Sequence, residues 1–275
     1  MVAFHRIFVI DFAGLGLGEA PDANRFQSVG TDTLGHVAVS WSGKLNLPTL
    51  QRLGLGNIRI DHPLLGIDPV AVPLGFFGRL HMAAQDNRAA TGLREMWDYN
   101  GQTRTQSVLA TLPEAGYPVT IAAPFLSYLQ TQDAAEKVQL GSNQDAFRVI
   151  DEMLYRPSSG MALVMLPDFR FAGEQGDITG FGEALIHADR ALGQVIHDMG
   201  VNDLLLVTAS HAVDPTATVT PTREYLPIIA YSASRPSTHA LGVRRTLADV
   251  GATVLENFGL AGHAAGHSFL NEFTQ

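Results

Sequence analysis

The chain has 275 residues, with 18 Lys and Arg against 27 Asp and Glu, so its formal net charge is −9. This charge argues against a nucleic-acid partner, because binding to phosphate backbones needs a basic surface that releases counterions. The absence of cysteine excludes disulfides, thiolate metal sites and cysteine nucleophiles. The start of the chain lacks a signal-peptide pattern, and no apolar run approaches the roughly 18 residues of a membrane span. We therefore expect a cytoplasmic globular protein without membrane contact.

Short apolar runs rich in β-branched residues recur along the chain. They predict strands at Arg6–Ile10, Tyr117–Ala122, Met161–Leu166, Asp203–Ala209 and Leu226–Tyr231. None of the runs alternates cleanly between apolar and polar residues. Each is therefore predicted to be a parallel strand that is covered on both faces.

Helical patterns lie between these runs. Ser142 and Asp145 resemble a capping box that opens a helix to Leu154, and apolar residues at helical spacing predict further helices over Leu185–Met199 and Thr246–Phe258. The proline-rich stretch Asp61–Pro73 is predicted to be a loop. Alternating strands and helices predict an α/β fold: a doubly wound, mainly parallel sheet with helices on both faces and ligands beyond the carboxyl ends of the strands.

Asp11 follows the first predicted strand directly, where the crevice of a wound sheet opens. A carboxylate at this position holds a metal or a cationic group, or else serves as a turn or cap residue. The glycines that follow, Gly14, Gly16 and Gly18, do not match the dinucleotide fingerprint, because its third glycine would fall at Glu19.

Ser210 and His211 follow the predicted strand Asp203–Ala209, and Asp214 comes three residues later. Hydroxyl, imidazole and carboxylate could meet there as in a catalytic triad. Adjacent side chains at a strand end point to opposite sides, however, so we do not expect Ser210 and His211 to form a nucleophile–base hydrogen bond. The alternative is a buried or capping histidine.

Further metal-ligating residue types follow later strands and loops. Asp168, Glu174 and Asp177 could supply oxygens to a hard cation, or they could form a solvated acidic loop. His263 and His267 have the spacing of a helical metal pair, but the surrounding glycines favour a loop, so neither is assigned as a ligand.

Several longer strings resemble those of bacterial phosphopentomutases, a family of the alkaline phosphatase superfamily. These strings are GEAPDA at 18–23, GTDTLGH at 30–36, LGLGNI at 53–58, TREYLP at 222–227, DVGATV at 249–254, ENFG at 256–259 and SFLNE at 268–272. The resemblance implies the wound α/β core of that superfamily, as one domain over residues 1–275. It also implies that the cap domain of the family is missing, near residues 98–107.

The resemblance further implies a site that has lost its chemistry. Family members interconvert ribose 1-phosphate and ribose 5-phosphate through a phosphothreonine, with two divalent cations, usually manganese. Thr91 and Gly92 match the pair that follows the nucleophile, which places Ala89 at the nucleophile position. Asp11 matches the first metal ligand and His211 a later one.

The remaining ligand positions differ from the family. Ser210 replaces an aspartate, Arg170 and Glu174 occupy an Asp and a His position, and Pro221 replaces the last histidine. Arg170 and Ser210 become candidate ligand-binding residues, and the Arg170 guanidinium could pair with Asp11 or a neighbouring acid in place of a cation. Hard cations need several fixed ligands, so we expect no cofactor.

Two functions remain open. The first is a non-catalytic binding, regulatory or assembly protein, with a second copy, another protein or a small anionic or phosphorylated ligand as partner. Trp97 and Phe125 are candidates for the interface. The second is a divergent hydrolase or isomerase of a small phosphorylated metabolite, with acid–base chemistry from Asp11 and His211. A manganese, magnesium or zinc site rebuilt for it would draw on Asp11, Asp168, Glu174, Asp177, His211 and Asp214.

Overall fold

The computed structural model describes residues 3–98, 107–129, 134–156, 159–235, 239–260 and 265–274. Within these ranges the strands are β1 (Arg6–Asp11), β2 (Phe76–Leu80), β3 (Val119–Ala123), β4 (Glu136–Gln139), β5 (Gly160–Met165), β6 (Asp203–Thr208), β7 (Leu226–Tyr231) and β8 (Ala240–Arg244). The α-helices are α1 (Thr33–Ser40), α2 (Pro48–Leu53), α3 (Ala89–Trp97), α4 (Val108–Glu114), α5 (Asn143–Leu154), α6 (Pro167–Glu174), α7 (Ile178–Asp198) and α8 (Ala248–Asn257).

The strands form a single mixed sheet in the order β4-β3-β5-β1-β6-β7-β2-β8. All of them run parallel except β7, which is antiparallel to both of its neighbours. The α/β fold with a mainly parallel sheet is therefore confirmed. The prediction of a parallel strand at Leu226–Tyr231 was wrong, because burial on both faces does not encode direction. The connection from β6 to β7 contains no helix, and a parallel return needs such a crossover.

The centre of the sheet is the most deeply buried part of the fold. Strands β5 and β6 are buried at every residue, and β1 is buried at every residue except Arg6. Arg6 lies beside Asp203 on β6, and its Nε and Nη2 donate to the two carboxylate oxygens at 2.8 and 2.6 Å. This ion pair lies at the end of the sheet opposite to the carboxyl ends of these strands.

The helices form two layers, one around α7 and the other around α8. The start of α5 is capped as predicted, since Ser142 Oγ accepts from the Asp145 N–H at 3.1 Å and donates to Asp145 Oδ2 at 2.9 Å. Helix α7 begins earlier than predicted, because Asp177 caps it by accepting from the Gly180 N–H at 2.8 Å. In the described residues no helix combines the length and apolar character needed to cross a membrane.

Several elements escaped the sequence prediction. Strands β4 and β8 lie at the two edges of the sheet and keep exposed residues, so they lack the apolar run of a central strand. Helices α1 and α2 have eight residues or fewer, which is too short for a clear periodic stripe. The predicted loop at Asp61–Pro73 is confirmed, since it contains neither helix nor extended strand.

Candidate functional site

The loops after β1, β5 and β6 meet at one edge of the sheet, because these parallel strands all end there. Asp11 is the last residue of β1 and lies beside Met165 and Thr208 in the register. Ser210 and His211 follow β6 at the same edge. The residues that the sequence placed at strand ends therefore lie in one crevice.

Asp11 is fully buried, with 0% of its surface exposed. Its Oδ1 accepts a hydrogen bond from the Ser210 N–H at 2.9 Å, whereas Oδ2 has no partner among the described residues. Burial raises the pKa of Asp11 to about 6, and the hydrogen bonds from Ser210 only partly oppose this effect. No cationic side chain of the described ranges pairs with this carboxylate, so near neutral pH the fold carries a poorly solvated negative charge.

Ser210 and His211 contact each other, with 3.2 Å between Ser210 Oγ and His211 Nδ1. The prediction that they point apart was wrong, because both lie beyond the last residue of β6, where the strict alternation of a strand ends. Their exposed fractions are 0% and 1%. Nε2 of His211 has no partner in the described part of the chain, so this pair lacks an orienting third group and access to solvent.

Arg170 on α6 lies beside His211. Its Nε donates to Glu174 Oε1 at 2.7 Å, and the guanidinium lies over the rings of Phe125 and Tyr128 at 4.6 and 5.7 Å. The acid that pairs with Arg170 is thus Glu174 rather than Asp11. Burial, and then the charge of Arg170, lowers the pKa of His211 to about 3, so this histidine is neutral at neutral pH.

Ala89 is the first residue of α3 and is buried. One turn later, Gly92 lies directly against the loop after β6: a Cβ built on Gly92 would overlap the carbonyl oxygen of Ser210. The first turn of α3 therefore approaches the same crevice. Ala89, which the resemblance matches to the family's nucleophile, contributes only a methyl group to this turn.

Gly92→Ala is expected to lower the free energy of unfolding by about 2 kcal/mol, because the added methyl group must displace a backbone carbonyl rather than a flexible side chain. Chemical denaturation followed by circular dichroism measures the effect. Gly141→Ala is the matched control, since a Cβ there meets only Asp145 Oδ2 at 3.6 Å. Equal stability of the two variants would contradict the close contact between α3 and the loop.

The other acidic candidates do not converge on Asp11. Asp214 accepts from Nδ1 of His36 at 2.6 Å, away from the Ser210–His211 contact. Asp177 caps α7, and the Asp168 N–H donates to Asn143 Oδ1 at 3.0 Å at the start of α5. Burial raises the pKa of Asp168. His263 lies outside the described residues, and the His267 N–H donates to Asp249 at 2.7 Å.

The residues present do not fit a metal centre. No group of three or more His, Asp or Glu side chains that could hold a metal ion occurs in the part of the chain that the structure describes. Asp11 Oδ2 and His211 Nε2 have no hydrogen-bond partner in the described ranges, but two ligands are too few for a hard cation. The Pro221 position contributes only its carbonyl, which accepts from Asn87 Nδ2 at 2.7 Å.

Two charged pairings escaped the sequence analysis, although Asp214 itself was a candidate ligand there. One pairing joins Asp214 with His36, and the other joins Arg223 with Asp22. His36, Asp22 and Arg223 lie within strings that were noted only as whole blocks, GTDTLGH, GEAPDA and TREYLP. Pairing across about 180 to 200 residues leaves no periodic signal in a single sequence.

The comparisons with known proteins agree with this architecture. The Metalloenzyme superfamily matches residues 5–262. A phosphopentomutase of Levilactobacillus brevis is 27% identical over 392 aligned positions, which cover 98% of this chain and 99% of the relative. The alignment is longer than the chain, so it contains gaps in this chain.

Solved structures show the same fold at low identity. The alkaline phosphatase of the Antarctic bacterium TAB5 superposes with a TM-score of 0.60 at 9% identity, covering 95% of this chain and 99% of that chain. The PH0037 protein of Pyrococcus horikoshii superposes with a TM-score of 0.56 at 10% identity, covering 94% and 98%. Both likenesses concern the fold alone.

Proposed function

The chain belongs to the Metalloenzyme superfamily, and we propose that it is a non-catalytic, phosphopentomutase-like member that acts by binding a partner or ligand. The observation that carries the proposal is the closed crevice. Asp11, Ser210 and His211 are withdrawn from solvent, and the charge of Arg170 acts on His211 while its guanidinium is held by Glu174 and two aromatic rings. A substrate has no free approach to these groups.

The chemistry of the individual positions supports the same proposal. A methyl group at Ala89 cannot accept a phosphoryl group. Arg170 supplies a positive charge where the resemblance implies a metal ligand. A metal cation and the guanidinium at a ligand position would repel each other. A fold carries an activity only when the site residues are present.

The absence of a cap is the second part of the proposal. Asp98 and Ser107 form an isolated antiparallel bridge, so the chain leaves and re-enters the fold at one point. The intervening residues 99–106, where the missing cap was expected, lie outside the described residues. The eight residues between the bridge partners are far too few for a domain. Without a cap, the fold has no lid that could open for a phosphorylated substrate and then retain its intermediate, which works against mutase chemistry.

The contact between Ser210 and His211 favours a second candidate, a divergent hydrolase or isomerase. Full burial of both residues and the low pKa of His211 weigh against it, because an effective general base needs a pKa near the working pH. Turnover of phosphate esters by the pure protein, abolished by His211→Ala in a folded variant, would support this candidate against ours.

We expect the purified protein to hold no tightly bound metal after expression with manganese and zinc available, followed by dialysis. Two surviving ligands cannot retain a hard cation against buffer. Inductively coupled plasma mass spectrometry measures the metal content per chain. One or two metal ions per chain, together with manganese-dependent phosphosugar turnover, would overturn the proposal.

Self-association remains part of the proposal, but Trp97 no longer belongs to the proposed interface. Trp97 is fully buried and cannot contribute to a surface, and Phe125 lies half-buried beneath Arg170. The expectation that Trp97 lines an interface was wrong. Trp97 is the last residue of α3, and its ring packs in the hydrophobic core. Light scattering at micromolar concentration measures the oligomeric state.

A further inference from the structure

A cavity of about 470 Å³ is lined by none of the crevice residues Asp11, Arg170, Ser210 and His211. The loop after β1 forms one wall, with Gly18 and Glu19, and Tyr225 before β7 forms another. Its basic lining consists of His36, Arg59, His62 and Arg79. A group of four basic side chains is unusual in a chain with a net charge of −9.

His36 is held in one orientation by a buried carboxylate. Asp214 is fully buried, and its Oδ2 accepts from Nδ1 of His36 at 2.6 Å. Burial alone would raise the pKa of Asp214, but hydrogen bonds from the N–H of Asp32, from the N–H and hydroxyl of Thr216 and from His36 lower it, so the carboxylate is ionised and Nδ1 carries the proton. Nε2 of His36 has no hydrogen-bond partner among the described residues. The His36 side chain that this hydrogen bond orients belongs to a residue of the cavity lining.

The acidic residues at the cavity are already satisfied by the protein. Both carboxylate oxygens of Asp32 accept from Arg59, at 2.5 and 2.8 Å. Glu19 Oε2 accepts from the Gly30 N–H at 2.5 Å. These carboxylates therefore have little capacity left to bind a cation.

Arg79, in contrast, has no carboxylate partner within the described residues. Its guanidinium lies 4.4 Å from the centre of the Tyr225 ring, which orients the group while leaving its N–H donors unused. The side chain of His62 likewise has no hydrogen-bond partner in the described ranges. The cavity thus combines an oriented imidazole with an unpaired guanidinium.

We propose that this cavity binds a small phosphate monoester, with Arg79 and His36 as its anion-binding residues. An arginine fork matches phosphate geometry, and the P–OH group of a singly protonated phosphate monoester can donate a hydrogen bond to Nε2 of His36. A carboxylate ligand is fully ionised near neutral pH and lacks this proton. The cavity is larger than the phosphate group alone, and its volume lies in the range of small-molecule sites, which leaves room for an organic group beside Tyr225.

Isothermal titration calorimetry of the full chain with inorganic phosphate tests the site. Arg79→Gln and His36→Gln are each expected to weaken phosphate binding about tenfold or more, since a charge-assisted hydrogen bond contributes roughly that factor. Arg52→Gln removes an exposed arginine outside the cavity and is the matched control. Arg170→Gln probes the crevice. Arg52→Gln and Arg170→Gln are both expected to bind phosphate with the affinity of the wild type.

The outcomes separate this inference from the proposed function. Loss of phosphate binding in Arg170→Gln but not in Arg79→Gln would place the anion in the crevice and overturn the inference. Equal binding of acetate and phosphate would overturn the assignment to a phosphate ligand. If a variant does not fold, the site is tested instead by titrating the wild-type protein with phosphate and following its histidine side chains by NMR. Phosphate must then shift the His36 resonances, and their invariance would refute the site. None of these results depends on whether the protein retains a metal.

Discussion

Replacing Arg223 with methionine is expected to lower the free energy of unfolding by about 3–5 kcal/mol, the cost of breaking a buried ion pair from one side. Arg223 is only 1% exposed. Its Nε and Nη2 donate to the two oxygens of Asp22 at 3.0 and 2.8 Å. The remaining N–H groups donate to the carbonyls of Met82, Ala84 and Asp86. Arg223 therefore joins the loop after β1, the segment after β2 and the loop before β7. Its removal leaves Asp22 without its arginine partner and three carbonyls without this donor.

Urea denaturation measures this loss, with Arg52→Met as a control that removes an exposed arginine. The pH dependence gives a second readout. Although partial burial of Asp22 acts in the opposite direction, hydrogen bonds and charge interactions with Arg223 and His81 lower its pKa to about 2. The stabilisation from Asp22 is therefore present above pH 4 and is lost as the pH falls towards 2. This loss should be much smaller in Arg223→Met. If Arg223→Met lowers the free energy of unfolding by less than about 1 kcal/mol, the proposed role of Arg223 is contradicted.

Replacing Asp11 with asparagine is expected to remove a pH-dependent destabilisation of about 3 kcal/mol, the cost of a pKa raised by roughly two units. Burial raises the pKa of Asp11 from 3.8 to about 6, so the folded state binds the proton more tightly than the unfolded state. The contribution of Asp11 to wild-type stability is therefore most favourable below pH 4 and becomes less favourable as the pH rises through 6. The asparagine side chain keeps an acceptor for the Ser210 N–H but carries no charge, so Asp11→Asn should be more stable than the wild type at pH 8.

Asp203→Asn is the matched control for Asp11→Asn. Asp203 is also a buried carboxylate on a central strand, but it is paired with Arg6 at 2.6 Å, so its neutralisation should destabilise the protein at pH 8. Denaturation curves of both variants and the wild type between pH 4 and 8 make the comparison. A destabilised Asp11→Asn, with manganese protecting only the wild type, would show that Asp11 holds a metal ion and would contradict the closed crevice.

The sequence predicted the central strands closely, because their apolar runs are long and are bounded by polar residues. The prediction for β6 missed its end by one residue, and that for β7 matched its bounds. The direction of β7 and the edge strands β4 and β8 were not predictable. Strand direction depends on the connection between strands, and edge strands keep polar, exposed residues that resemble a loop.

Some features of the candidate site likewise follow from the sequence, and others follow only from the tertiary structure. Residue type alone determined that Ala89 cannot be phosphorylated and that Arg170 and Pro221 cannot serve as ligands of the family's type, because these are properties of the side chains. Only the tertiary structure decided that Asp11 and His211 are withdrawn from solvent, that the Ser210 N–H donates to Asp11 and that Asp214 holds His36. Burial, pairing and pKa depend on which loops the sheet brings together, and those contacts join residues that lie far apart in the sequence.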